Sequence, residues 1–339
     1  KEPLGSSHRD RRHVKTAVLR RPRSGCQSTL GRGRLCCGIV AAPGPPAGSA
    51  AAGMAASKRE REAPGEPEAG AAALRLRSPS ARKSIIFMRH GESEYNRALR
   101  KTGKDPLIRD APLTDRGREQ AAAARDALAE LRQRLEGASA PGATRPWLLA
   151  VSPLHRALAT AAGAWPEAFW AGAEAGGDNH ASACTRVEVW PWLREVVTGC
   201  DDLGSSPQRL LGLYPHLRPQ LAQLPEVWWT VPEASRHVAA DGDAMRAAYL
   251  QDPEAFEEAD AAALPERMER LLEELRRVPE ELVVVVAHCD LIGEFTERLG
   301  LGEGDARRRR PGWWLKNCEC RAAEGLQLPP PRAAAGGGR

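Results

Sequence analysis

Three short stretches, Ser84–Met88 (SIIFM), Trp147–Val151 (WLLAV) and Leu282–Ala287 (LVVVVA), are apolar almost without interruption. A strand with one wet face alternates apolar and polar side chains, whereas a strand covered on both faces does not need to. The runs are too short for helices and are rich in branched residues, so they read as buried strands. Helical stretches separate them. Thr114 is placed to cap a helix with Asp115 in its first turn and Ala121, Ala124, Leu128, Leu131 and Leu135 on one face. Ser152 and Pro153 suit the N-cap and first position of another helix. Leu264, Met268, Leu271, Leu272, Leu275 and Val278 fall in register on a further helix, and shorter helices are expected over 92–101 and 290–299. RVEVW (186–190) predicts a third strand in chain order, and WWLKNCEC (313–320) a final one. Strands alternating with helices give an α/β sandwich with a largely parallel sheet.

The fold is expected to occupy residues 84–322. Residues 1–83 hold 17 of the chain's 49 Lys and Arg but only 6 of its 44 Asp and Glu, which leaves 32 basic against 38 acidic side chains for the rest. The net charge of +5 therefore belongs to the leader and gives no warrant for a nucleic-acid face on the folded part. The leader is rich in Ala, Gly and Pro without an apolar period, which predicts disorder, as does the tail from 323 onward. It begins with Lys1, and the first Met is Met54. Residues 1–53 are read as translation from upstream of the true start; the competing reading is an Arg-rich targeting peptide. No segment approaches a membrane-spanning length. The eight cysteines form no CxxC pair and no zinc-finger spacing, so reduced thiols in a cytoplasmic protein are expected, with organellar targeting as the alternative. Cys318 and Cys320 would lie on one side of the final strand as packing residues.

The three apolar runs end in groups that a core does not hold easily. The first ends in Arg89-His90, the second in Ser152 with Arg156 one helical turn on, and the third in His288. Open α/β sheets bind ligands at the carboxyl ends of their strands, so two arginines and two histidines converge. Arg offers planar forks for phosphate oxygens, and His serves as nucleophile, base or donor near neutral pH. Two His and two Arg, with no carboxylate or Cys cluster, suit an anionic phosphoryl group better than a metal.

RHGESEYN (89–96), LTDRGREQA (113–121), SPLHRALATA (152–161) and VVAHCDLIGEF (285–295) together resemble the histidine phosphatase superfamily, the phosphoglycerate mutase-like proteins. The four blocks come in the family's order and span about residues 84–320. The resemblance implies a three-layer α/β/α sandwich around a mostly parallel sheet. It implies that His90 is the nucleophile that becomes phosphohistidine, and that Arg89, Arg156 and His288 bind the phosphoryl oxygens. Asn96 matches a phosphate-contacting position, and Thr102-Gly103 a pair that touches substrate. Cys289 stands where the family often has Gly, with its backbone near phosphate. Glu195 matches the acid that protonates the leaving oxygen, although Asp201 and Asp202 lie close by. No metal or other cofactor is implied.

The chain also departs from the family's mutases. They continue into a TGWxDxxL-like segment where this chain has TGKDPLIRDAPL, and they follow the acid with Arg, His and Tyr where this chain has Val196-Val197-Thr198. The expected activity is therefore phosphomonoester hydrolysis on a small phosphorylated substrate, with phosphoglycerate mutase or a weakly active phospho-ligand binder as alternatives. Nucleic acid and membrane are not expected as partners, and oligomeric state is left open. Residues 195–260 are irregular and read as an insertion, a lid over one end of the sheet from about 196. The Trp228-Trp229 and Trp313-Trp314 pairs read as core or lid packing, Arg307–Arg310 as a solvated run, and the remaining histidines as surface groups.

Overall fold

A computed structural model describes residues 82–136, 146–170, 184–301 and 313–330. The leader before residue 82, the tail after 330 and the arginine run at 307–310 lie outside the described residues. Five strands form one sheet in the order β3-β2-β4-β1-β5. They are β1 (Arg82–Arg89), β2 (Trp147–Val151), β3 (Cys184–Val189), β4 (Leu282–Ala287) and β5 (Cys320–Gln327). The first four run parallel, and β5 pairs antiparallel with β1 along the edge.

The uninterrupted apolar runs have the cause anticipated for them. Ile86, Met88, Leu149, Val151, Val284 and Val286 point into one core, and Ile85, Phe87, Leu148, Ala150, Val283 and Val285 into the other. The first core is closed by α2 (Asp115–Glu136) and α3 (His155–Ala164), the second by α8 (Pro253–Arg277) and α9 (Cys289–Arg298). The architecture is a three-layer α/β/α sandwich. Two shorter helices, α1 (Glu94–Thr102) and α4 (Pro166–Trp170), complete the segment before β3.

Residues 195–260 are more ordered than their composition suggests. They hold α5 (Pro207–Leu213), α6 (Arg218–Leu221), α7 (Gly242–Gln251) and the first turns of α8. Trp228, Trp229, Tyr249 and Phe256 are buried in the first core, so the aromatic pair packs as expected. α8 starts eleven residues before Leu264, with Asp252 accepting from the Ala255 amide at its N-cap and Pro265 accommodated inside it. An acidic, Ala-rich first half hides this helix from an apolar count.

Two boundaries differ from expectation for reasons of bonding. α3 begins at His155 with Leu154 at its N-cap position; the His155 amide donates to Asp110 Oδ1 (2.8 Å), and Ser152 Oγ lies instead against His288 Nε2. The final strand lies at 320–327, past the expected domain end at 322, and residues 313–319 are turns. Cys318 adopts φ 56° there, and its amide donates to the Arg89 and His90 carbonyls. The Cys318 and Cys320 thiols therefore do not share a strand, although both pack against the first core. His155 and His216 are half-buried rather than surface groups.

Gly91 and Gly117 mark a close crossing. A Cβ on Gly91 would meet the Gly117 carbonyl oxygen at 2.5 Å, and one on Gly117 would meet the Glu92 carbonyl oxygen at 2.1 Å. Both glycines are needed for the segment after β1 to lie against the start of α2. Gly117→Ala is expected to destabilise the protein by about 1–3 kcal/mol, the usual range for overpacking. Urea unfolding measures this, and an unchanged midpoint would show that the two segments can separate freely.

Candidate functional site

Sheet order brings together residues far apart in sequence. β4 lies between β2 and β1, so Ser152, His288 and His90 follow the carboxyl ends of three adjacent strands. The His90 amide donates to the Ala287 carbonyl (3.0 Å) and the Ser152 amide to the Val286 carbonyl (3.0 Å), which extends the ladder to the site. The His90 and His288 rings are 5.0 Å apart between centroids. Arg89, His90, Arg156 and His288 are all buried.

His90 is held in one tautomer. Its Nδ1 lies 2.7 Å from the Gly91 carbonyl oxygen, which only accepts, so Nδ1 carries the proton. Its Nε2 accepts from Arg156 Nε at 3.2 Å, which requires a lone pair there. Burial first, then the positive charges of Arg156 and Arg89, hold its pKa well below the ordinary imidazole value. The ring is neutral at physiological pH, with its lone pair on the nitrogen facing Arg156.

Arg156 is fixed from its other edge. NH1 donates to the Asp201 carbonyl (2.6 Å) and NH2 to Asp202 Oδ1 (2.7 Å), leaving Nε directed at His90. Asp202 Oδ2 in turn accepts from the Thr198 and Gly199 amides (2.9 and 3.0 Å). Burial pushes the Asp202 carboxyl up to about 6 against the pull of Arg156, and burial with the neighbouring Asp202 raises Asp201 well above its usual range. Arg89 donates from NH1 to the Leu315 carbonyl (3.0 Å), while its buried Nε has no partner among the described residues. His288 Nε2 is 2.8 Å from Ser152 Oγ, and its Nδ1 is also unpaired among the described residues. Burial and Arg156 hold His288 well below the ordinary imidazole range.

Glu195 sits at the first turn of α9, directly after His288. Its Oε1 accepts from the Leu291 (2.9 Å) and Val196 (3.0 Å) amides and its Oε2 from the Asp290 amide (3.4 Å). Burial, reinforced by Asp290, raises its pKa to about 7 despite those donors. Cys289 Sγ is 3.8 Å from Glu195 Oε2, and burial pushes its thiol pKa up. Ligand atoms of Glu195, Cys289 and Asp290 lie within 4.8 Å of one another. Oε1 is held firmly by two amides, whereas Oε2 has only the longer contact with the Asp290 amide; both lie at the N-terminus of α9, where the dipole opposes a cation.

The other expected positions are placed differently. Asn96 stands at the rim, with Oδ1 accepting from the Ser93 amide in a capping box and from Asn317 Nδ2 (3.4 Å). Thr102 and Gly103 end α1; Thr102 is exposed and donates to the Ala98 carbonyl, and Gly103 is the left-handed cap. These two are not joined to the cluster by any hydrogen bond among the described residues. Three supporting groups escaped the sequence. Thr160 Oγ1 accepts from the Gly91 amide (3.0 Å), and Asn317 Nδ2 donates to the His90 carbonyl (3.0 Å). Arg267 on α8, itself buried, donates to the Glu195 carbonyl (3.2 Å) and to Asp260 (3.3 Å). Their partners are 69, 227 and 72 residues away; Thr160 lies within the SPLHRALATA block without a role implied for it, and no local pattern announces the other two.

Comparison with known proteins gives the site a context. Residues 85–168 match the model of the histidine phosphatase superfamily (branch 1), the stretch that contains the first three blocks. No curated protein matches the chain. Among solved structures, a phosphoserine phosphatase from Entamoeba histolytica in complex with 3-phosphoglyceric acid is 19% identical, with 71% of this chain and 89% of that one covered and a TM-score of 0.34. A mycobacterial glucosyl-3-phosphoglycerate phosphatase is 20% identical, with 71% and 89% covered and a TM-score of 0.33. An open reading frame product of Mycobacterium tuberculosis is 18% identical, with 72% and 98% covered and a TM-score of 0.36. No helix among the described residues is long and apolar enough to cross a membrane.

Proposed function

We propose that the protein is a phosphomonoester hydrolase acting through a phosphohistidine at His90 Nε2, with no metal in the reaction. The observation that carries this reading is the pairing at His90: the Gly91 carbonyl holds the proton on Nδ1, and Arg156 faces the remaining lone pair. A neutral imidazole with its lone pair fixed is a nucleophile, and a guanidinium beside it is placed for the oxygens of a phosphoryl group.

In the first step the Nε2 lone pair attacks phosphorus and the bond from phosphorus to the leaving oxygen breaks. Glu195 gives that oxygen its proton. In the second step water attacks the phosphohistidine, Glu195 takes a proton from the water, and orthophosphate leaves as the N–P bond breaks. Arg156, Arg89 and His288 stabilise the charge on the equatorial oxygens. The buried Arg89 Nε, a donor without a partner among the described residues, favours an anionic partner, because a buried polar group left unpaired costs about 1–3 kcal/mol. Val196 and Val197 follow Glu195 where the family's mutases place basic and aromatic groups, and Val197 is buried. This supports hydrolysis over transfer between two hydroxyls.

The test is turnover of para-nitrophenyl phosphate with and without a chelator, beside 3-phosphoglycerate with and without 2,3-bisphosphoglycerate. Hydrolysis that survives chelation is expected. Conversion of 3-phosphoglycerate to 2-phosphoglycerate would instead make the protein a mutase.

The pH dependence follows from two shifts. His90 is already neutral far below its ordinary pKa, so it gives no ascending limb near neutrality. Glu195 must carry a proton in the first step and loses it around its raised value of about 7. With an aliphatic phosphomonoester, kcat/KM is expected to be level near pH 6 and to fall as pH rises through 7. Glu195→Gln is expected to remove that limb and to lower kcat by about 10²-fold or more. A descending limb that persists in the variant would assign the acid to another group.

A further inference from the structure

A basic cavity lies outside the His90 cluster. It has a volume of about 530 Å³ and is lined by Arg109, Arg209, Arg246, Ser205, Ser206 and Asp243 among others. Three guanidinium groups face one lining carboxylate there, and that carboxylate, Asp243, is engaged with Arg246 at 3.4 Å. Arg209 makes no side-chain hydrogen bond or ion pair among the described residues, and its charge is felt at Arg109. Arg109 is anchored with Nε on the Gly204 carbonyl (2.9 Å) and its guanidinium over the Trp229 ring at 4.9 Å. Its NH1 points toward Gly242, where a Cβ would approach it to 2.9 Å. The Asp110 and Asp241 carboxylates are also felt at Arg109. They do not line the cavity, however, where three guanidinium groups face the one carboxylate of Asp243 and a bound anion would ease their repulsion.

The cavity wall is also the outer side of the loop that holds Arg156. Asp201 and Asp202 bind that guanidinium, and the next residues are Leu203, Gly204 and Ser205. Arg109 grips the Gly204 carbonyl, and Trp228 Nε1 donates to the Ser205 carbonyl at 2.9 Å. We propose that this cavity is a second anion site, taking a phosphoryl group or similar small polyanion on Arg109, Arg209 and Arg246 and acting on Arg156 through residues 201–206. An anion that draws Arg109 toward it loosens the grip on Gly204, and with it the Asp201–Asp202 hold on Arg156. The coupling rests on the phosphatase reading of His90; the binding does not. The anion is either a second phosphate on the substrate or a separate molecule.

Calorimetric titration of the full chain with inorganic pyrophosphate tests the site, comparing wild type with an Arg209→Ala/Arg246→Ala double variant. Both side chains are exposed, so the fold should tolerate their loss. One equivalent of binding is expected to disappear or to weaken by about tenfold or more, as for lost charge-assisted bonds. Any smaller change overturns the proposal. Hydrolysis of para-nitrophenyl phosphate by the variant, without added anion, should stay within about twofold of wild type, since neither residue belongs to the His90 cluster. A large fall would show that the arginines serve the His90 pocket itself, which also overturns it. A raised KM confined to bisphosphorylated substrates identifies the anion as part of the substrate. A pyrophosphate effect on wild-type aryl ester turnover, absent from the variant, identifies a separate molecule. If neither appears, the coupling to Arg156 fails. If wild type hydrolyses nothing, the phosphatase reading fails while calorimetry still decides the anion site.

Discussion

His90→Ala is expected to lower phosphomonoester turnover by about 10³-fold or more while the protein remains folded. Among the described residues the ring makes two side-chain hydrogen bonds, one to the Gly91 carbonyl and one from Arg156 Nε. Arg156 keeps its two aspartate contacts in the variant, so its position does not depend on His90. The stability lost should be the ordinary cost of truncating one buried side chain, about 1–3 kcal/mol. The two readouts are kcat and the urea midpoint. A near-normal midpoint with abolished turnover places the chemistry on the ring. Turnover within about tenfold of wild type would mean that another group carries the phosphoryl transfer.

Arg156→Ala is expected to damage stability and activity together, and more severely for the fold. The guanidinium is almost completely buried between Asp201 and Asp202, which are buried as well. Removing one partner of a buried ionic network costs about 3–5 kcal/mol, because the charge left behind has neither water nor a counterion. The loss should depend on pH. Burial already raises both aspartates above their ordinary range, Asp202 to about 6, and without Arg156 they rise further. A carboxyl whose folded pKa lies above its unfolded value stabilises most below the unfolded pKa, and that contribution is lost as pH rises through the folded value. The variant should therefore be closer to wild type at pH 5 than at pH 8 in chemical unfolding. Equal losses at both pH values would mean that the aspartates do not remain buried without Arg156. Arg156→Lys separates the two effects: it returns a charge to the aspartates but not the planar fork, so stability should recover more than turnover.

The sheet interior and the ends of its strands were the most legible parts of the sequence. WLLAV and LVVVVA coincide with β2 and β4 residue for residue, because burial on both faces leaves no polar position to blur the ends. The same property exposed the site, since Arg89-His90, Ser152 and His288 interrupt runs that otherwise tolerate nothing polar. β5 was misplaced because CRAAEGLQ is an edge strand of mixed polarity whose only strong cue is its pairing with β1, more than 230 residues earlier. WWLKNCEC carried the stronger local signal but turns beneath Arg89 and His90 instead. Asp201 and Asp202 were visible only as acidic neighbours of Glu195. Their hold on Arg156 depends on how the chain between Gly199 and Ser206 is folded, and that is set by Asp105, Arg109 and Trp228 from other elements.

The edge pairing of β5 with β1 has a practical geometry. Arg82 lies opposite Gln327, so the chain enters and leaves the sandwich side by side. Both points are at the amino-terminal end of β1, whereas His90 follows its carboxyl end. Fluorescent or affinity partners fused before residue 82 or after 330 would be carried on the far side of the sheet from the histidines. A short covalent bridge between those two points would close the folded region into a ring, leaving new ends to be opened in a surface loop.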